Sequence, residues 1–343
     1  MSNTETHPAE LLCGAEAQER PGAPEPRVEV LTPREVPLGG PRAMTVRRTL
    51  PQRSRTLIGA WCFADHYGPD DVAGTGGMVV PPHPHTGLQT VSWLFTGEFE
   101  HRDSLGTHAF VRPGEVNLMT GGRGISHSEV STARATVVHG VQLWVALPAE
   151  HRDAPRDFQH HVPRPVPLRG SPGGAADGPS ADGPSEVGEA RVFLGTLAGD
   201  TSPVTTFTPL LGAELTLRPH ASTTLEIDPA FEHGLLVDLG DVRMAGTPLR
   251  RADLGYLAPG HTTLTVANTS GAPARVVLLG GPPFGEQIVM WWNFVGRTHE
   301  DIVQAREDWM TGDRFGTIEG YDGDPLPAPE LPHTTLKPRG NAH

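Results

Sequence analysis

The sequence predicts an all-β chain built from two related domains, followed near its end by a short helix. The chain of 343 residues contains 41 Gly and 35 Pro, and only 6% of it is aromatic. Short strand-like runs separated by frequent turn signals fill most of it, and the same rhythm occurs in two blocks of similar length. This density of turns favours a barrel or a sandwich, and the length suffices for two domains that each bury a core.

The first block is expected to form one domain at 27–160. Residues 1–26 are rich in Glu, Ala and Pro without periodicity, so they are predicted to be a disordered tail. Strand-like runs then follow one another at 28–31, 43–50, 61–63, 88–95, 98–101, 107–111, 116–119, 125–130 and 137–147. Turns such as Pro113-Gly114 separate them.

A low-complexity stretch interrupts this pattern, and 161–190 are predicted to be a flexible linker or insertion. The second domain is expected at 191–343, with strand-like runs at 191–197, 204–210, 213–217, 223–227, 234–239, 254–257, 262–268 and 274–280. A helix is predicted near 299–311, because Thr298 can cap its first turn and Gly312 can end it. A second disordered tail is expected after it.

Charge and cysteine content exclude several functions. A net charge of -13 without clustered basic residues argues against a nucleic-acid surface. Lys337 is the single lysine, which argues against Schiff-base chemistry and a phosphate-binding P-loop. Cys13 and Cys62 form no disulfide framework, and the chain lacks both a signal-peptide pattern and a long apolar stretch. We therefore expect a cytoplasmic protein without a membrane partner.

Two histidine-containing pairs predict a metal site. His83 and His85 form one i, i+2 pair, and His127 and Glu129 form another. Alternate side chains of a strand share a face, so each pair can present both side chains to one ion. Three imidazoles and one carboxylate suit a first-row transition metal. The chain has 17 His, and an isolated one is more often a surface or hydrogen-bonded core residue, but two such pairs beside glycine-rich turns favour the metal.

These segments carry a family resemblance. Gly77, His83, His85 and Gly97 follow the spacing of the first cupin motif, although Gln89 stands where many cupins place a ligand Glu. Closer still, several segments resemble the pirin family: Pro-His-Pro-His-Thr-Gly at 82–87, Met-Thr-Gly-Gly-Arg-Gly-Ile-Ser-His-Ser-Glu at 119–129, 139–148, 65–69, 280–286 and 314–316. The resemblance spans about residues 28 to 320.

The resemblance implies a bicupin, that is, two tandem jelly-roll-type barrels, with one mononuclear metal in the N-terminal barrel. The family's ligands map onto His83, His85, His127 and Glu129. The divalent ion expected first is Fe(II), with Mn, Co, Ni or Cu as alternatives. The second block lacks a matching pair, since His220 and Glu232-His233 have no partner at the right spacing, so a C-terminal barrel without metal is expected.

The family also implies a function. Pirins include quercetin 2,3-dioxygenases, which open the ring of a flavonol with dioxygen and release carbon monoxide, and Glu129 would then be both ligand and catalytic base. Other pirins act as iron- or redox-responsive regulators that bind a transcription factor or a metabolic enzyme. The sequence leaves both functions open, because they share the same ligands.

Further residues are weaker candidates for roles around the ion. Five polar residues are expected to orient the imidazoles: His101, Asp103, Asn117, Ser126 and Gln142. Four aromatic residues are expected to line either a pocket or the core: Trp93, Phe95, Phe110 and Trp144. Cys62 is expected to be a small buried apolar residue.

Overall fold

The computed structural model describes residues 27–37, 44–74, 77–171 and 185–341. The predicted disordered tail at 1–26 lies outside these residues. The first twelve strands described are β1 (Glu29–Leu31), β2 (Arg34–Pro37), β3 (Thr45–Leu50), β4 (Trp61–Asp71), β5 (Val79–His85), β6 (Leu88–Thr96), β7 (Phe99–Asp103), β8 (His108–Val111), β9 (Val116–Thr120), β10 (Ile125–Ser131), β11 (Val137–Ala146) and β12 (Asp157–His161). A 3-10 turn lies at Ala149–His151.

The later elements described are β13 (Pro165–Ser171), β14 (Ser185–Leu194), β15 (Thr196–Leu197), β16 (Asp200–Thr201), β17 (Leu211–Leu217), β18 (Ser222–Glu226), β19 (Glu232–Leu239), β20 (Val242–Met244), β21 (Thr247–Leu249), β22 (Leu254–Leu257), β23 (Thr263–Asn268), β24 (Ala274–Gly281), β25 (Val289–Trp291), β26 (Phe294–Gly296) and α1 (His299–Thr311). The prediction of an all-β chain with one short C-terminal helix is confirmed.

Two antiparallel sheets enclose the core of the N-terminal domain. One has seven strands in the order β12-β9-β6-β11-β4-β3-β2, and the other has four in the order β5-β10-β7-β8. Tyr67 and Leu94 of the larger sheet pack in one cluster with Val80 and Phe99 of the smaller sheet. The smaller sheet carries both histidine-containing pairs, so the barrel places them on the sheet that faces the larger one.

The C-terminal domain is formed by an eleven-stranded sheet in the order β1-β22-β19-β24-β17-β14-β13-β18-β23-β20-β21. Its first strand, β1, comes from the start of the described chain and pairs with β22. The linker expected at 161–190 is in part regular structure, because β13 and β14 pair in this sheet. Val187 and Ala190 in β14 are buried in the C-terminal core, and the burial of these apolar side chains outweighs the low-complexity composition that precedes them. Residues 172–184 lie outside the described ones.

A shared core joins the two barrels. Trp93 of β6 stacks on Phe193 of β14 with ring centroids 4.7 Å apart. The indole Nε1 of Trp93 donates to Glu214 Oε2 at 2.7 Å, and Trp61 Nε1 donates to the Gly280 carbonyl at 3.2 Å. Because these aromatic contacts are buried between the domains, they fix one barrel against the other.

Helix α1 begins and ends where the sequence predicts. The Thr298 side chain accepts from the Asp301 N–H, and the Asp301 side chain accepts from the Thr298 N–H, which is a complete capping box. Gly312 follows its last residue, and Ile302 and Ala305 are buried. No helix in the described ranges is long and apolar enough to cross a membrane.

The segment after helix α1 is not the disordered tail that the sequence predicts. Residues 312–341 contain no helix or strand, yet they pack against the rest of the protein. Phe315 and Leu336 are buried in a cluster with helix α1. Arg339 exchanges two backbone hydrogen bonds with Ile288, at 2.7 and 2.8 Å. Because apolar residues recur through this proline-rich segment, it buries a surface although it lacks regular structure.

Candidate metal centre

Strands β5 and β10 place the two histidine-containing pairs side by side. In their antiparallel register His127 lies directly opposite His83, and Ile125 lies opposite His85. Strand β5 contains Pro81, Pro82 and Pro84, which cannot donate to a neighbouring strand. It tolerates them because it is an edge strand of the four-stranded sheet.

The three imidazoles converge on one point. Candidate ligand atoms of His83, His85 and His127 all lie within 4.8 Å of one another. The Nε2 atoms of His85 and His127 are 3.1 Å apart. Two nitrogens at a right angle on an ion, with bonds of about 2.1 Å, would lie about 3.0 Å apart. The described arrangement therefore fits a shared divalent ion.

The hydrogen bonds of His83 leave a ring nitrogen available for an ion. Its Nδ1 lies 2.8 Å from the Pro81 carbonyl, which can only accept, so Nδ1 carries the proton. Its Nε2 is buried and has no hydrogen-bond partner among the described residues. A buried lone pair without a donor is what a metal ligand presents before the ion binds.

His101 and Asp103 set the tautomer of His127. His101 Nε2 donates to Asp103 Oδ2 at 3.1 Å, so His101 Nδ1 is left to accept from His127 Nδ1 at 3.3 Å. Asp103 Oδ1 in turn accepts from the backbone N–H groups of Leu105 and Thr107. The proton of His127 is thus held on Nδ1, and its Nε2 lone pair points toward His85.

Burial keeps these imidazoles neutral. Desolvation lowers the pKa of His83 to about 4, although the charge of Glu129 opposes the shift. Desolvation also lowers the pKa of His85 and of His127 well below the usual range, and neighbouring imidazoles lower both further. At neutral pH all three rings are therefore in the uncharged form that binds a metal.

Glu129 lies beside the imidazoles but does not belong to the group within 4.8 Å. A register shift separates it from His127 on β10, and it lies opposite His101 on β7. Its side chain is fully buried. Burial raises the pKa of Tyr67 well above its usual value, and the charge of Glu129 adds to that shift. Glu129 thus acts electrostatically on both the His83 imidazole and the Tyr67 hydroxyl.

Two aromatic residues flank the site. The Trp144 ring contacts His85 edge-on, with centroids 5.2 Å apart, and its Nε1 is buried without a partner among the described residues. Phe158 lies 4.9 Å from the His101 ring. Sequence analysis missed Phe158, because it lies on β12 beyond the metal-bearing segments and no local pattern marks it.

Other predicted residues form hydrogen bonds with groups other than the three imidazoles. The Ser126 hydroxyl donates to the backbone carbonyl of Phe315. Asn117 accepts from His160, and Gln142 accepts from Ser92. Three of the candidate aromatic residues have other contacts: Trp93 packs between the domains, Phe95 contacts His139, and Phe110 contacts His108. Cys62 is a free, fully buried thiol in an apolar cluster.

A second histidine group, which sequence analysis missed, lies between the domains. His66 Nε2 and His139 Nε2 lie 2.7 and 2.6 Å from Asp238 Oδ1, and Arg275 Nε donates to Asp238 Oδ2 at 2.7 Å. Arg47 Nε donates to His66 Nδ1 at 3.1 Å. Burial alone would raise the pKa of Asp238, but hydrogen bonds from both imidazoles hold it well below its usual value. Two guanidinium groups disfavour a cation here, so we interpret the group as an ion-pair network.

Known proteins match both halves of the chain. A family model described as Pirin matches residues 43–145, and one described as Pirin C-terminal cupin domain matches residues 212–316. A Pseudomonas aeruginosa protein named "putative quercetin 2,3-dioxygenase" is 41% identical over 333 residues, which cover 97% of this chain and 98% of that protein. The chain belongs to the pirin family. The predicted bicupin organisation is thereby confirmed.

Further pirin relatives and a solved structure agree. A pirin-like protein from Caulobacter vibrioides is 34% identical over 293 residues, covering 83% of this chain and 94% of that protein. A crystal structure of a quercetin 2,3-dioxygenase from Acinetobacter baumannii superposes with a TM-score of 0.79 at 36% identity, covering 92% of this chain and 98% of that one. Together with the converging imidazoles, pirin membership supports a divalent metal in this chain.

Proposed function

We propose that this pirin-family protein is a metal-dependent dioxygenase of the quercetin 2,3-dioxygenase type, which cleaves flavonol-like substrates with dioxygen. The observation that carries the proposal is the convergence of three buried, neutral imidazoles on one point. The names of the P. aeruginosa relative and the A. baumannii structure support the substrate class.

In this proposal His83, His85 and His127 hold the ion, and Glu129 is the fourth ligand. Imidazole and carboxylate ligands suit iron and its neighbours, so Fe(II) is proposed first, with Mn, Co, Ni or Cu as alternatives. When bound, the ion supplies a redox-capable centre at which the flavonol oxygens and dioxygen can meet.

Glu129 is proposed as the base that takes the proton of the flavonol hydroxyl. Its carboxylate is fully buried beside the imidazoles, where little water competes for the proton. The indole N–H of Trp144, buried next to His85, is available to donate to a substrate oxygen. Asp103 and His101 hold the His127 ring in place while the substrate enters.

Metal content and carbon monoxide release test the proposal together. Purified protein should contain about one transition-metal ion per chain and release carbon monoxide from quercetin in air. His85→Ala should lose most of the metal and the activity. The matched control is Ser128→Ala, because Ser128 alternates with His127 and Glu129 on β10 and leaves the ligand set intact.

The outcomes separate the two functions of the family. Metal-loaded wild type that consumes no dioxygen with any flavonol would contradict the dioxygenase proposal. An iron-responsive regulatory function would then be the better proposal, because it requires the same ligands but no turnover. Full metal occupancy in His85→Ala would instead contradict the ligand assignment.

A further inference from the structure

The C-terminal barrel contains a cavity that the metal site does not explain. Its volume is about 410 Å³, and it is lined in part by β15 and by the segment that follows β16. Leu197, Leu211 and Ile227 form apolar walls that continue into the C-terminal core, and Phe231 covers one side. This size is in the range of small-molecule sites.

His233 is the unexplained polar group of this cavity. It lies on β19 and lines the cavity, and 1% of its side chain is exposed. Both ring nitrogens are buried without a well-formed hydrogen bond among the described residues, although the Phe231 backbone makes a weak hydrogen-bond interaction with the ring. Buried polar groups are nearly always well paired, so an imidazole that lines a cavity without a well-formed hydrogen bond indicates a missing ligand or water.

The protein holds this imidazole in one place. A Cβ atom on Gly280 would lie 3.2 Å from His233 Cδ2, so the glycine of β24 leaves room for the ring. The preceding residue points to the other face of β19, where Glu232 accepts from the Gly59 N–H at 2.6 Å and from the Tyr256 hydroxyl at 2.9 Å. Glu232 thus joins the domains, while His233 faces the cavity.

The charge of the ring selects the ligand's chemistry. Burial lowers the pKa of His233 to about 4, while the charge of the Asp228 carboxylate and the hydrogen-bond interaction with the Phe231 backbone oppose the shift. At neutral pH the ring is uncharged and offers one donor and one acceptor. A hydroxyl group, which is also both donor and acceptor, is the simplest complement to it.

The other residues that line the cavity restrict the chemical class of the ligand further. Glu226 and Asp228 lie exposed at the rim and place negative charge at the entrance, which disfavours an anionic ligand. The hydroxyl groups of Ser202 and Thr206 already donate to the backbone, so they offer only acceptor oxygens. The Phe231 ring, 6.1 Å from the His233 ring, provides a flat apolar wall.

We propose that the C-terminal barrel binds a neutral hydroxylated aromatic molecule, whose hydroxyl group hydrogen-bonds to His233. The ring of the ligand packs against Phe231 and Ile227. This site is separate from the N-terminal imidazoles and needs no metal, so it stands whether or not the dioxygenase proposal holds.

Binding of 2-naphthol to the full-length protein tests the site. It should be saturable and should shift the His233 imidazole signals in a nitrogen-15 spectrum of histidine-labelled protein. The anion 2-naphthoate should bind at least about tenfold more weakly, because it meets the rim carboxylates. Naphthalene, which lacks the hydroxyl group, should also bind at least about tenfold more weakly.

Substitutions in the protein test where 2-naphthol binds. His233→Leu should weaken 2-naphthol binding at least about tenfold, and His233→Gln, which keeps a donor and an acceptor, should restore part of it. His220→Asn is the matched control, because His220 is exposed and outside the cavity. His85→Ala should bind 2-naphthol as wild type does.

Four results would overturn the proposal. The first is the absence of saturable 2-naphthol binding to wild type. The second is unchanged 2-naphthol binding in a folded His233→Leu variant. The third is loss of 2-naphthol binding in His85→Ala but not in His233→Leu, which would place the ligand in the N-terminal barrel. Equal affinity for naphthalene and 2-naphthol would exclude the hydrogen bond to His233.

Discussion

His127 donates from Nδ1 to Nδ1 of His101 across 3.3 Å, and this bond decides which nitrogen of His127 faces the other imidazoles. The donor role of His127 follows from Asp103, which accepts the other proton of the His101 ring. A carboxylate on β7 therefore orients a proposed metal ligand on β10 through an intervening imidazole.

The first prediction is that His101→Phe lowers metal affinity about 10- to 100-fold without removing a ligand. Phenylalanine keeps a ring against Phe158 but cannot accept from His127 Nδ1. The measurement is competition with a chelator of known affinity. The control is His108→Phe, since the exposed His108 is on the neighbouring strand β8. Equal chelator resistance of His101→Phe and wild type would show that the bond has no role in orientation.

The second prediction is that Glu129→Gln suppresses quercetin turnover far more than it weakens metal binding. An amide oxygen can still contact an ion, but it cannot take a proton at neutral pH. Loss of a general base typically costs about 10²-fold or more. Dioxygen uptake should fall by that factor while metal content stays near that of wild type. If turnover and metal content fall in proportion, Glu129 is a ligand only.

The third prediction concerns pH and stability. Because the pKa of His233 falls from 6.5 to about 4 on folding, the folded protein binds fewer protons than the unfolded chain between these values. The contribution of the neutral His233 ring to stability is complete above pH 6.5 and is lost as the pH falls toward 4. Urea unfolding of chelator-treated protein should therefore show a free energy of unfolding that decreases with falling pH.

The variant His233→Leu isolates this effect. The substitution should reduce the slope of the free energy of unfolding against pH, between pH 6 and 5, by about 1.4 kcal/mol per pH unit. This is the contribution of one proton. His220→Asn should leave the slope unchanged. Identical slopes in His233→Leu and wild type would contradict the assignment of a neutral, buried His233.

The fourth prediction is that Thr298→Ala destabilises the protein by about 1 kcal/mol. The change removes the side-chain acceptor of the Asp301 N–H at the start of helix α1. Thr298→Ser keeps that oxygen and should cost much less. Thermal unfolding measures both variants, and equal loss in the two would place the effect of Thr298 in packing instead of capping.

The sequence alone determined the features that depend on neighbouring residues. Alternation along a strand places the side chains of His83 and His85 on one face, and those of His127 and Glu129 on one face of their own strand. Helix α1 could also be predicted from the sequence, because its cap and its buried face lie within one short segment. Family resemblance added the bicupin, which the matches to both halves confirm.

Only the tertiary structure decided which distant segments meet. The register of β10 between β5 and β7 sets His127 opposite His83 on one side and Asp103 on the other, and nothing in the local sequence specifies it. His66 and Asp238 are 172 positions apart and meet only because the two barrels pack together. The tail after helix α1 is ordered by the surface it covers. Burial, which removes competing water and fixes each partner, is a property of the assembled fold.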